Sequence, residues 1–316
     1  MPTVIALTRF GPPEVLRPMQ IETPRPGPGQ ALIRVRAAGV NPVDCKLRRG
    51  DFAGTYPTDF PQRLGNEFAG TIIALGPDAP TDGTIAVGPD AAGDGALSIG
   101  TDVVGSATAQ AYAEVLVADI AGLVAKPPSL PWETAAGLPA AGQTAHTALS
   151  QLGVGPGDVL LVHAAAGGVG TIAVQLARDL GARVIGTASE SNHDYLRGLG
   201  ATPTTYGPGL LDRVRALAPE GVDAALDLVG GQAITTSLAL VQNRDRIGTT
   251  VDRRAVEEHG VRRVGGRSLP ALREIVGKAA AGRLALPVRT FPLRAAVAAH
   301  HLVEGGHVRG KVVLVV

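Results

Sequence analysis

The residues of this sequence that are best suited to chemistry are the small ones between Ala164 and Gly170. They follow an apolar run, Val159–Val162, and precede a helical pattern. A strand, a glycine turn and a helix in this order are the context in which glycine spacing indicates dinucleotide binding. Gly167 would let the backbone approach a pyrophosphate, and the positive end of the helix would attract its charge. The first glycine of the fingerprint is Ala165 here, and an ordinary tight turn is the alternative.

Composition excludes several classes of function. The 316 residues are 45% hydrophobic and 18% charged, as expected for a globular protein that is long enough for two domains. A formal net charge of +1 gives no reason to expect nucleic acid or an acidic membrane surface as a partner. The single cysteine, Cys45, excludes an internal disulfide framework and a cysteine-rich zinc lobe. Because the first residues do not resemble a signal peptide and no apolar run reaches membrane-spanning length, we expect a cytoplasmic protein.

The glycine turn must be held by the elements around it, and the apolar pattern predicts them. Strands alternate with helices at a spacing that indicates a parallel sheet covered by helices on both faces. The strands are predicted at residues 159–162, 183–187, 203–206, 224–229, 246–250 and 261–265. The helices are predicted at residues 169–180, 193–199, 210–217 and 233–240.

The two ends of the chain have a different pattern. Short apolar runs between Gly and Pro turns predict a β-rich region over residues 1–125, and residues 77–105 predict a long loop or a short hairpin. One helix is predicted to start near Trp132, and a second to cover Gln143–Leu152. The tail predicts, in order, a helix, a strand, a helix and a strand, at residues 269–281, 288–291, 293–304 and 311–316.

Several stretches resemble the medium-chain dehydrogenase/reductases, and within them the zinc-free quinone oxidoreductase group that includes zeta-crystallin. The stretches follow the family order over nearly the whole chain: NPVDCKLRRG (41–50), LGNEFAG (64–70), LPAAGQTAHTAL (138–149), HAAAGGVGTIAVQLARDLGARVIGTA (163–188), GVDAALDLVGG (221–231) and GHVRGKVVL (306–314).

The resemblance implies an α/β fold of two domains. A GroES-like, β-rich catalytic domain would comprise residues 1–125 and 267–316. A Rossmann domain with a doubly wound parallel sheet would be inserted over residues 126–266. The active site would lie in the cleft between them. Related chains pair through an edge of the nucleotide domain, so a homodimer is expected, with Arg244–Val251 as the candidate edge strand.

The resemblance also predicts that the chain has no metal site. Zinc-dependent relatives have a cysteine and a histidine where this chain has Asn41 and Asn66. Zinc needs a tight set of thiolate, imidazole or carboxylate ligands, which Glu67 alone cannot supply. We expect Glu67 to hold neighbouring backbone or to cap a turn instead.

The residues after the second strand of the nucleotide domain predict NADPH as the cofactor. Sites for NADH usually offer an acid there to the ribose hydroxyls, and the matching position is Ala188. The hydroxyl of Ser189 suits a 2′-phosphate, and Tyr206 matches a tyrosine that lies by the adenosine phosphate in quinone reductases. A lysine that relatives carry near Asn192 is absent, and Glu190 would repel phosphate if it faced inward. The alternative is that Ser189 and Asn192 only cap the next helix.

Without a metal to polarise a carbonyl, the expected substrate accepts hydride into a conjugated system, as a quinone or an enone does. Hydrogen bonds would stabilise the resulting anion before it is protonated. The resemblance places Asn41 near the nicotinamide, with a turn asparagine as the alternative. Asp44 is expected to orient the same loop through Lys46 or a backbone N–H. Lys46 would polarise a carbonyl oxygen unless it is simply exposed, and Thr144 would lie near the carboxamide unless it caps a helix.

The sequence departs from the family at the expected proton donor. Related reductases often carry a tyrosine just after an Arg-x-Gly motif, where this chain has Phe52. We expect Phe52 to line the substrate pocket and Tyr56 to donate the proton, with water as the alternative donor.

These interpretations give the predicted site. The catalytic residues are Asn41, Asp44, Lys46 and Tyr56, and the cofactor-binding residues are Thr144, Ala165, Gly167, Gly168, Val169, Gly170, Ser189, Asn192, Tyr206 and Val229. The expected function is NADPH-dependent hydride transfer to a quinone or an α,β-unsaturated carbonyl compound. A pathway-specific enoyl reductase and a non-catalytic NADPH-binding protein are the alternatives.

Overall fold

The computed structural model describes residues 1–54, 59–77, 85–86 and 96–316. Contacts within the chain divide it into two compact units. Unit 1 comprises Met1–Ala140, Leu272–Arg283 and Pro287–Val316, and unit 2 comprises Ala141–Ala271 and Leu284–Leu286. The sequence suggested domain limits at residues 125/126 and 266/267, and these limits remain a prediction.

Strands and helices are numbered here along the chain. The strands are β1 (Thr3–Leu7), β2 (Leu16–Gln20), β3 (Gln30–Val40), β4 (Gln62–Arg63), β5 (Glu67–Leu75), β6 (Ile85–Ala86), β7 (Ala96–Leu97), β8 (Asp102–Ser106), β9 (Val115–Asp119), β10 (Val124–Ala125), β11 (Val159–Val162), β12 (Arg183–Thr187), β13 (Ala201–Thr204), β14 (Ala224–Asp227), β15 (Ile247–Thr249), β16 (Arg262–Arg263), β17 (Val288–Pro292) and β18 (Lys311–Val315). The helices are α1 (Pro42–Arg49), α2 (Trp132–Gln151), α3 (Gly168–Asp179), α4 (His193–Leu199), α5 (Leu210–Leu217), α6 (Gln232–Leu240), α7 (Arg253–His259), α8 (Leu269–Ala280) and α9 (Ala296–Glu304).

Unit 1 is β-rich, as the sequence predicted. Its main sheet has the order β10–β8–β5–β3–β18–β17, with β9 also paired to β3, and a smaller sheet has the order β2–β1–β4. The long strand β3 lies at the centre, with β5 and β18 antiparallel on its two sides. In the described part of the predicted 77–105 loop, β6 pairs antiparallel with β7, and strand β8 begins at Asp102, before the predicted end of the loop. Because β18 pairs with β3, it lies beside the strand that leads to Asn41.

The segment after β3 is a helix, although the sequence analysis treated it as a loop. Pro42 is the first residue of α1, and the Asp44 carboxylate accepts the backbone N–H of Asn41 at 2.8 Å. Gly50, at φ +90°, ends the helix in a conformation that glycine adopts without strain. An Asn followed by Pro and then Asp three residues on is a helix-start signal that the analysis missed.

A second correction concerns α2, for which two helices were predicted. The structure has one helix of 20 residues with Pro139 inside it. Proline normally interrupts helical hydrogen bonding, which made a break near this position plausible. The backbone N–H of Ala140, next to the proline, donates instead to the Glu67 carboxylate at 2.7 Å. A tertiary contact therefore satisfies a backbone group at the point where the local sequence favours a break.

Unit 2 is the predicted doubly wound parallel sheet, in the order β13–β12–β11–β14–β15–β16. Apolar residues of its strands and helices, including Leu161, Ile185 and Ile247, form its core. The prediction of an edge strand at Arg244–Val251 was wrong, because β15 pairs with strands on both sides. Its residues are buried, whereas the two exposed arginines of β16 lie at the edge. Over the ranges described above, no helix has the length and apolarity to cross a membrane.

Candidate functional site

The glycine turn of unit 2 joins β11 to α3 through backbone hydrogen bonds. Gly167 precedes the helix, and its N–H donates to the carbonyl of Ala164 at 3.0 Å. Its own carbonyl accepts the N–H of Thr171 at 2.8 Å. Ala164 has a φ of +53°, which is unusual for a residue with a side chain. Gly168 and Val169 are the first residues of α3, so the positive end of the helix follows this turn.

The two predicted glycines, Gly167 and Gly170, have different surroundings in the structure. At Gly170 an added Cβ would lie 2.5 Å from the Ala164 oxygen and 2.6 Å from the Ala165 Cα, so the helix packs on the turn only without a side chain. At Gly167 an added Cβ would meet only the Ala164 oxygen, at 3.4 Å. The fold therefore requires Gly170, whereas the bare backbone at Gly167 is space that a ligand could fill.

Ala165 stands where the dinucleotide fingerprint has its first glycine. It is fully buried, and its N–H donates to the Thr187 carbonyl at 2.9 Å. On the neighbouring strand, a Cβ added to Gly186 would lie 2.8 Å from the Ala165 methyl group. The chain accommodates the larger residue by having glycine on β12, so the turn keeps its shape with only two of the three fingerprint glycines.

Asp227, the last residue of β14, holds two neighbouring loops in place. The sequence analysis missed this residue. Its carboxylate accepts the N–H groups of Val229 and Gly230 at 2.9 and 2.8 Å, and the hydroxyl of Thr249 at 2.6 Å. It thereby fixes the loops after β14 and β15, and leaves the side chain of Val229 61% exposed. An acid at the end of the apolar run AALD was the available signal. The carboxyl ends of parallel strands are where nucleotides bind in such sheets.

His163 follows β11 and is buried. Its Nε2 lies 3.0 Å from the Ser237 hydroxyl. Burial lowers the pKa of His163 well below its ordinary value, and the charge of Asp227 opposes that shift. The ring is therefore neutral and packs as part of the core.

The residues expected to select the cofactor lie after β12 and β13. Asn192 Nδ2 donates to the Ser189 hydroxyl at 3.0 Å, and both residues occupy N-cap positions without a side-chain cap hydrogen bond. Ala188 is buried, and Glu190 is exposed. Tyr206 is 52% exposed in the loop after β13. The structure thus presents hydroxyl and amide groups near Ser189, with Glu190 facing solvent.

Thr144 lies in the interior of α2 and is half-buried. The alternative that it caps a helix was therefore wrong. A Cβ added to Gly265 would lie 3.2 Å from the Thr144 methyl group, so this glycine leaves room for the threonine side chain.

In unit 1 the predicted catalytic residues Asn41 and Asp44 belong to a mostly buried group of side chains, which we call the polar cluster: Asn41, Asp44, Asn66, Glu67, Tyr112 and Lys311. Asn41 Nδ2 donates to Glu67 Oε1 at 2.8 Å. The ammonium of Lys311 donates to Asn41 Oδ1 and to Glu67 Oε1, both at 2.6 Å. Lys311 is 5% exposed and Glu67 fully buried. A buried ion pair with these hydrogen bonds is a rigid arrangement.

Lys311 was missed by the sequence analysis. It lies in the stretch GHVRGKVVL, and the signal was a charged residue at the start of an apolar strand. Glu67 also depends on a small neighbour, because a Cβ added to Gly39 would lie 2.5 Å from its carboxyl carbon.

Asp44 connects the cluster to the start of α1. It accepts the Asn41 backbone N–H, the Asn66 amide at 2.7 Å and the Tyr112 hydroxyl at 3.1 Å. Burial raises the pKa of Asp44 to about 6, while the Asn41 N–H and the Lys311 charge limit that increase. Of the two partners proposed for Asp44, the structure has the backbone N–H.

Of the other predicted site residues in unit 1, Lys46 does not belong to the polar cluster. Lys46 is half-buried on α1, and in the described ranges its side chain makes no hydrogen bond or ion pair with the cluster. Phe52 is half-buried in the turn after the helix. Tyr56 lies outside the described residues.

A chain of neutral groups extends the cluster inward. The Tyr112 hydroxyl lies 3.2 Å from His300 Nε2, and His300 Nδ1 lies 3.5 Å from the sulfur of Cys45. Burial lowers the pKa of His300 to about 3 and raises the pKa of Cys45 to about 12. A neutral imidazole and a protonated thiol result, so this thiol is not a nucleophile.

The donors of the cluster suit hydrogen bonding rather than metal binding. Within the part of the chain that the structure describes, no three His, Cys, Asp or Glu side chains form a metal-binding group. The oxygen of Asn41 accepts from an ammonium, and the nitrogen of Asn66 donates to Asp44. The ammonium of Lys311 already lies beside the Glu67 carboxylate.

Two protein-family models match this chain. The model described as "Alcohol dehydrogenase GroES-like domain" matches residues 27–128, and the one described as "Zinc-binding dehydrogenase" matches residues 168–250. The first match lies in unit 1. The second begins at Gly168, the first residue of α3.

Solved structures resemble the whole chain. The quinone oxidoreductase from Coxiella burnetii is 35% identical, with a TM-score of 0.87, over 100% of this chain and 99% of that one. A mycobacterial protein, Rv1454c, solved in complex with NADPH, is 30% identical, with a TM-score of 0.84, over 100% of both chains.

Among curated proteins, the polyketide synthase GfsB of Streptomyces halstedii is 37% identical over 307 residues. That match covers 91% of this chain, which spans only 5% of the length of the synthase. The human synaptic vesicle membrane protein VAT-1 homolog is 33% identical over 230 residues, and the chain spans 54% of its length.

Proposed function

This chain belongs to the quinone oxidoreductases of the medium-chain dehydrogenase/reductase superfamily, and from that premise we propose that it transfers hydride from NADPH to a quinone or an α,β-unsaturated carbonyl compound. The family assignment agrees with the resemblance found in the sequence. The substrate and the roles of the site residues belong to the proposal.

The observation that carries the proposal is the bare backbone at Gly167. A Cβ there would meet no protein atom closer than 3.4 Å, and the turn leads directly into the N-terminus of α3. Space without a side chain beside unpaired helix N–H groups suits a pyrophosphate. A related structure in complex with NADPH supports the same assignment.

The choice of NADPH over NADH rests on the residues after β12. Ala188 offers no carboxylate to the ribose hydroxyls. The Ser189 hydroxyl and the Asn192 amide would bond a 2′-phosphate, with Tyr206 beside it. Val229 and Thr144 would contact the rest of the cofactor.

At the reacting end, NADPH supplies the hydride, and the protein supplies orientation and hydrogen bonds. Asn41 would donate a hydrogen bond to the substrate oxygen on which negative charge develops. Asp44 holds the start of α1 and so keeps Asn41 in place. Phe52 would contact the substrate ring. Lys46 would polarise the substrate oxygen, and Tyr56 or water would donate the proton.

The decisive experiment is NADPH oxidation followed at 340 nm with 9,10-phenanthrenequinone and with a series of enones. We expect saturable turnover with at least one substrate and none with a simple saturated ketone, which has no conjugated system to accept hydride. NADPH binding without turnover of any quinone or enone would favour the non-catalytic alternative.

A second candidate function is reduction of an enoyl thioester in a biosynthetic pathway. The polyketide synthase similarity over 91% of this chain favours it. The two functions share the fold and the cofactor, so substrate preference decides between them. A kcat/KM for a crotonyl thioester well above that for quinones would select the enoyl reductase.

We also propose that the reaction needs no zinc, because the Lys311 ammonium already neutralises Glu67. Elemental analysis should then find no stoichiometric zinc, and chelators should leave turnover unchanged. A homodimer completes the proposal, with the exposed edge strand β16 as its candidate surface. Light scattering that gives a monomer mass would contradict it.

A further inference from the structure

Lys311 is a buried lysine whose three N–H groups all have acceptors. Its ammonium donates to Asn41 Oδ1 and Glu67 Oε1 at 2.6 Å and to the Val40 carbonyl at 3.4 Å. Lysine is rarely buried unless it is paired, and here both a carboxylate and an amide oxygen pair with it. These contacts make Lys311 part of the surroundings of Asn41.

The strand register brings the three residues together. In the antiparallel pair β3–β18, Val312 lies opposite Val40, so Lys311 lies beside Asn41, the residue that follows β3. Glu67 begins β5 on the other side of β3. Gly310, just before the lysine, has a φ of +67°, and a Cβ there would lie 2.9 Å from the Pro287 carbonyl carbon.

These partners fix which way the Asn41 amide faces. An ammonium can only donate and a carboxylate can only accept, so Oδ1 must face Lys311 and Nδ2 must face Glu67. A reversed amide would bring its N–H groups against an ammonium and its oxygen against a carboxylate. One Nδ2 proton is bonded to Glu67, and the second has no protein acceptor in the described parts of the chain.

We propose that Lys311 is a positioning residue that holds the Asn41 amide so that its second N–H is kept for a substrate oxygen. The ammonium bonded to Oδ1 also polarises the amide, which strengthens its N–H donors. The role of that N–H in catalysis rests on the proposed function. The orientation of the amide does not, and the first test addresses it alone.

The first test uses NMR of protein labelled with ¹⁵N at asparagine. The sequence has four asparagines, at positions 41, 66, 192 and 243, so their side-chain amides can be assigned by substitution. In Lys311→Met we expect the Asn41 amide signals to shift and their protons to exchange with solvent at least about tenfold faster, because one hydrogen bond is lost. Asn243 should not change.

The matched control is Lys278→Met, which removes a lysine whose ammonium lies 3.7 Å from Glu274 on α8. It should leave all four amides as in the original protein. Asn41 signals that are the same in Lys311→Met as in the control would overturn the proposal.

Because Lys311→Met leaves Glu67 buried without its cation, a second variant guards against failure to fold. In Lys311→Ala, the part of the side chain that is removed corresponds to n-propylammonium, which can be added to the solution. We expect that cation to raise the melting temperature and to restore the Asn41 signals, whereas 1-propanol should not. An equal effect of 1-propanol would mean that the lysine acts by packing, which would overturn the proposal.

The catalytic consequence is tested by a double-mutant cycle. Lys311→Met and Asn41→Ala should each lower kcat by about 10²-fold, and the double variant should be no slower than Asn41→Ala alone. Effects that multiply would show that Lys311 acts independently of Asn41, which contradicts the proposal. If the unmodified protein reduces no quinone or enone, the proposed function fails, while the NMR result still decides the orientation.

Discussion

The glycine turn of unit 2 and the polar cluster of unit 1 are built in opposite ways. The turn uses consecutive residues, 164–170, and we propose that it binds through backbone N–H groups beside positions without side chains. The cluster uses charged and amide side chains from positions as far apart as Asn41, Glu67 and Lys311.

The difference concerns what holds each site in place. The geometry of the turn depends on a strand, a helix and two small residues that are neighbours in the sequence. The cluster depends on the register of three strands and on the pairing of two buried charges. A substitution in the turn can therefore remove binding without unfolding the protein, whereas one in the cluster changes both the site and the stability.

The largest effect is expected at Gly167. Gly167→Val should abolish NADPH binding in a fluorescence titration, because the side chain fills the space left for the pyrophosphate. The protein should stay folded, since a Cβ there meets only the Ala164 oxygen at 3.4 Å.

Gly170→Val is the matched comparison. Its Cβ would lie 2.5 Å from the Ala164 oxygen, so overpacking should lower the free energy of unfolding by about 1–3 kcal/mol or more, and the melting temperature should fall with it. Normal NADPH affinity in Gly167→Val would mean that the phosphate site lies elsewhere.

Next in size is the effect of Asn41→Ala. Loss of a hydrogen-bond donor to a developing oxyanion should lower kcat by about 10²-fold, with little change in the dissociation constant of NADPH. Asn243→Ala is the control, since that side chain accepts a local N–H, from Asp245 in unit 2. An equal loss of NADPH affinity and kcat would assign Asn41 to cofactor binding.

The pH dependence of stability sharpens the comparison, because the cluster contains a carboxyl group with a raised pKa. The pKa of Asp44 is 3.8 in its ordinary state and about 6 in the native protein, so the native state retains a proton that the unfolded chain loses. Its contribution therefore lowers stability as the pH rises from about 4 to about 6, by up to about 1.4 kcal/mol per pH unit.

Asp44→Asn should remove that contribution. Urea unfolding between pH 4 and 6 should show stability rising more steeply with pH in the variant than in the original protein. His300, with a pKa lowered to about 3, acts in the opposite sense and remains in both, since its stabilisation is lost as the pH falls below 6.5. Parallel curves would mean that Asp44 titrates alike in the native and unfolded states.

The smallest effect is expected at the cofactor-selecting end of unit 2. Ala188→Asp should shift preference toward NADH by several-fold, on the order of 1 kcal/mol, because a carboxylate bonds ribose hydroxyls and repels a 2′-phosphate. Glu190→Gln, an exposed acid in the same segment, should change the ratio much less. Tighter binding of NADH than NADPH by the original protein would contradict the basis of the prediction.

The sequence predicted unit 2 more accurately than the region around Asn41. Strands β11 and β12 and helices α4 and α5 have the bounds that the apolar pattern indicated, because each is a short periodic run between clear turn residues. The same reasoning predicted two helices where the structure has the single helix α2. The hydrogen bond from Ala140 to Glu67 explains why the helix continues, and a local pattern cannot show it.

The candidate site divides in the same way. Gly167 and Gly170 could be assigned roles from spacing, since strand, turn and helix are contiguous. Asn41 and Asp44 were found through the resemblance, with a backbone N–H as one expected partner of Asp44, but their side-chain partners were not found. Lys311 gave only a weak signal, and Lys46 was placed in the site although it does not join the cluster.

The sequence by itself determined the alternation of strands and helices, the glycine turn and the family, because these depend on neighbouring residues. Only the tertiary structure decided the surroundings of Asn41. Strand register placed Lys311 beside it, Gly39 admitted Glu67, and the two charges fixed the direction of its amide. A hydrogen bond between residues 270 positions apart depends on packing, and no local pattern of residues encodes it.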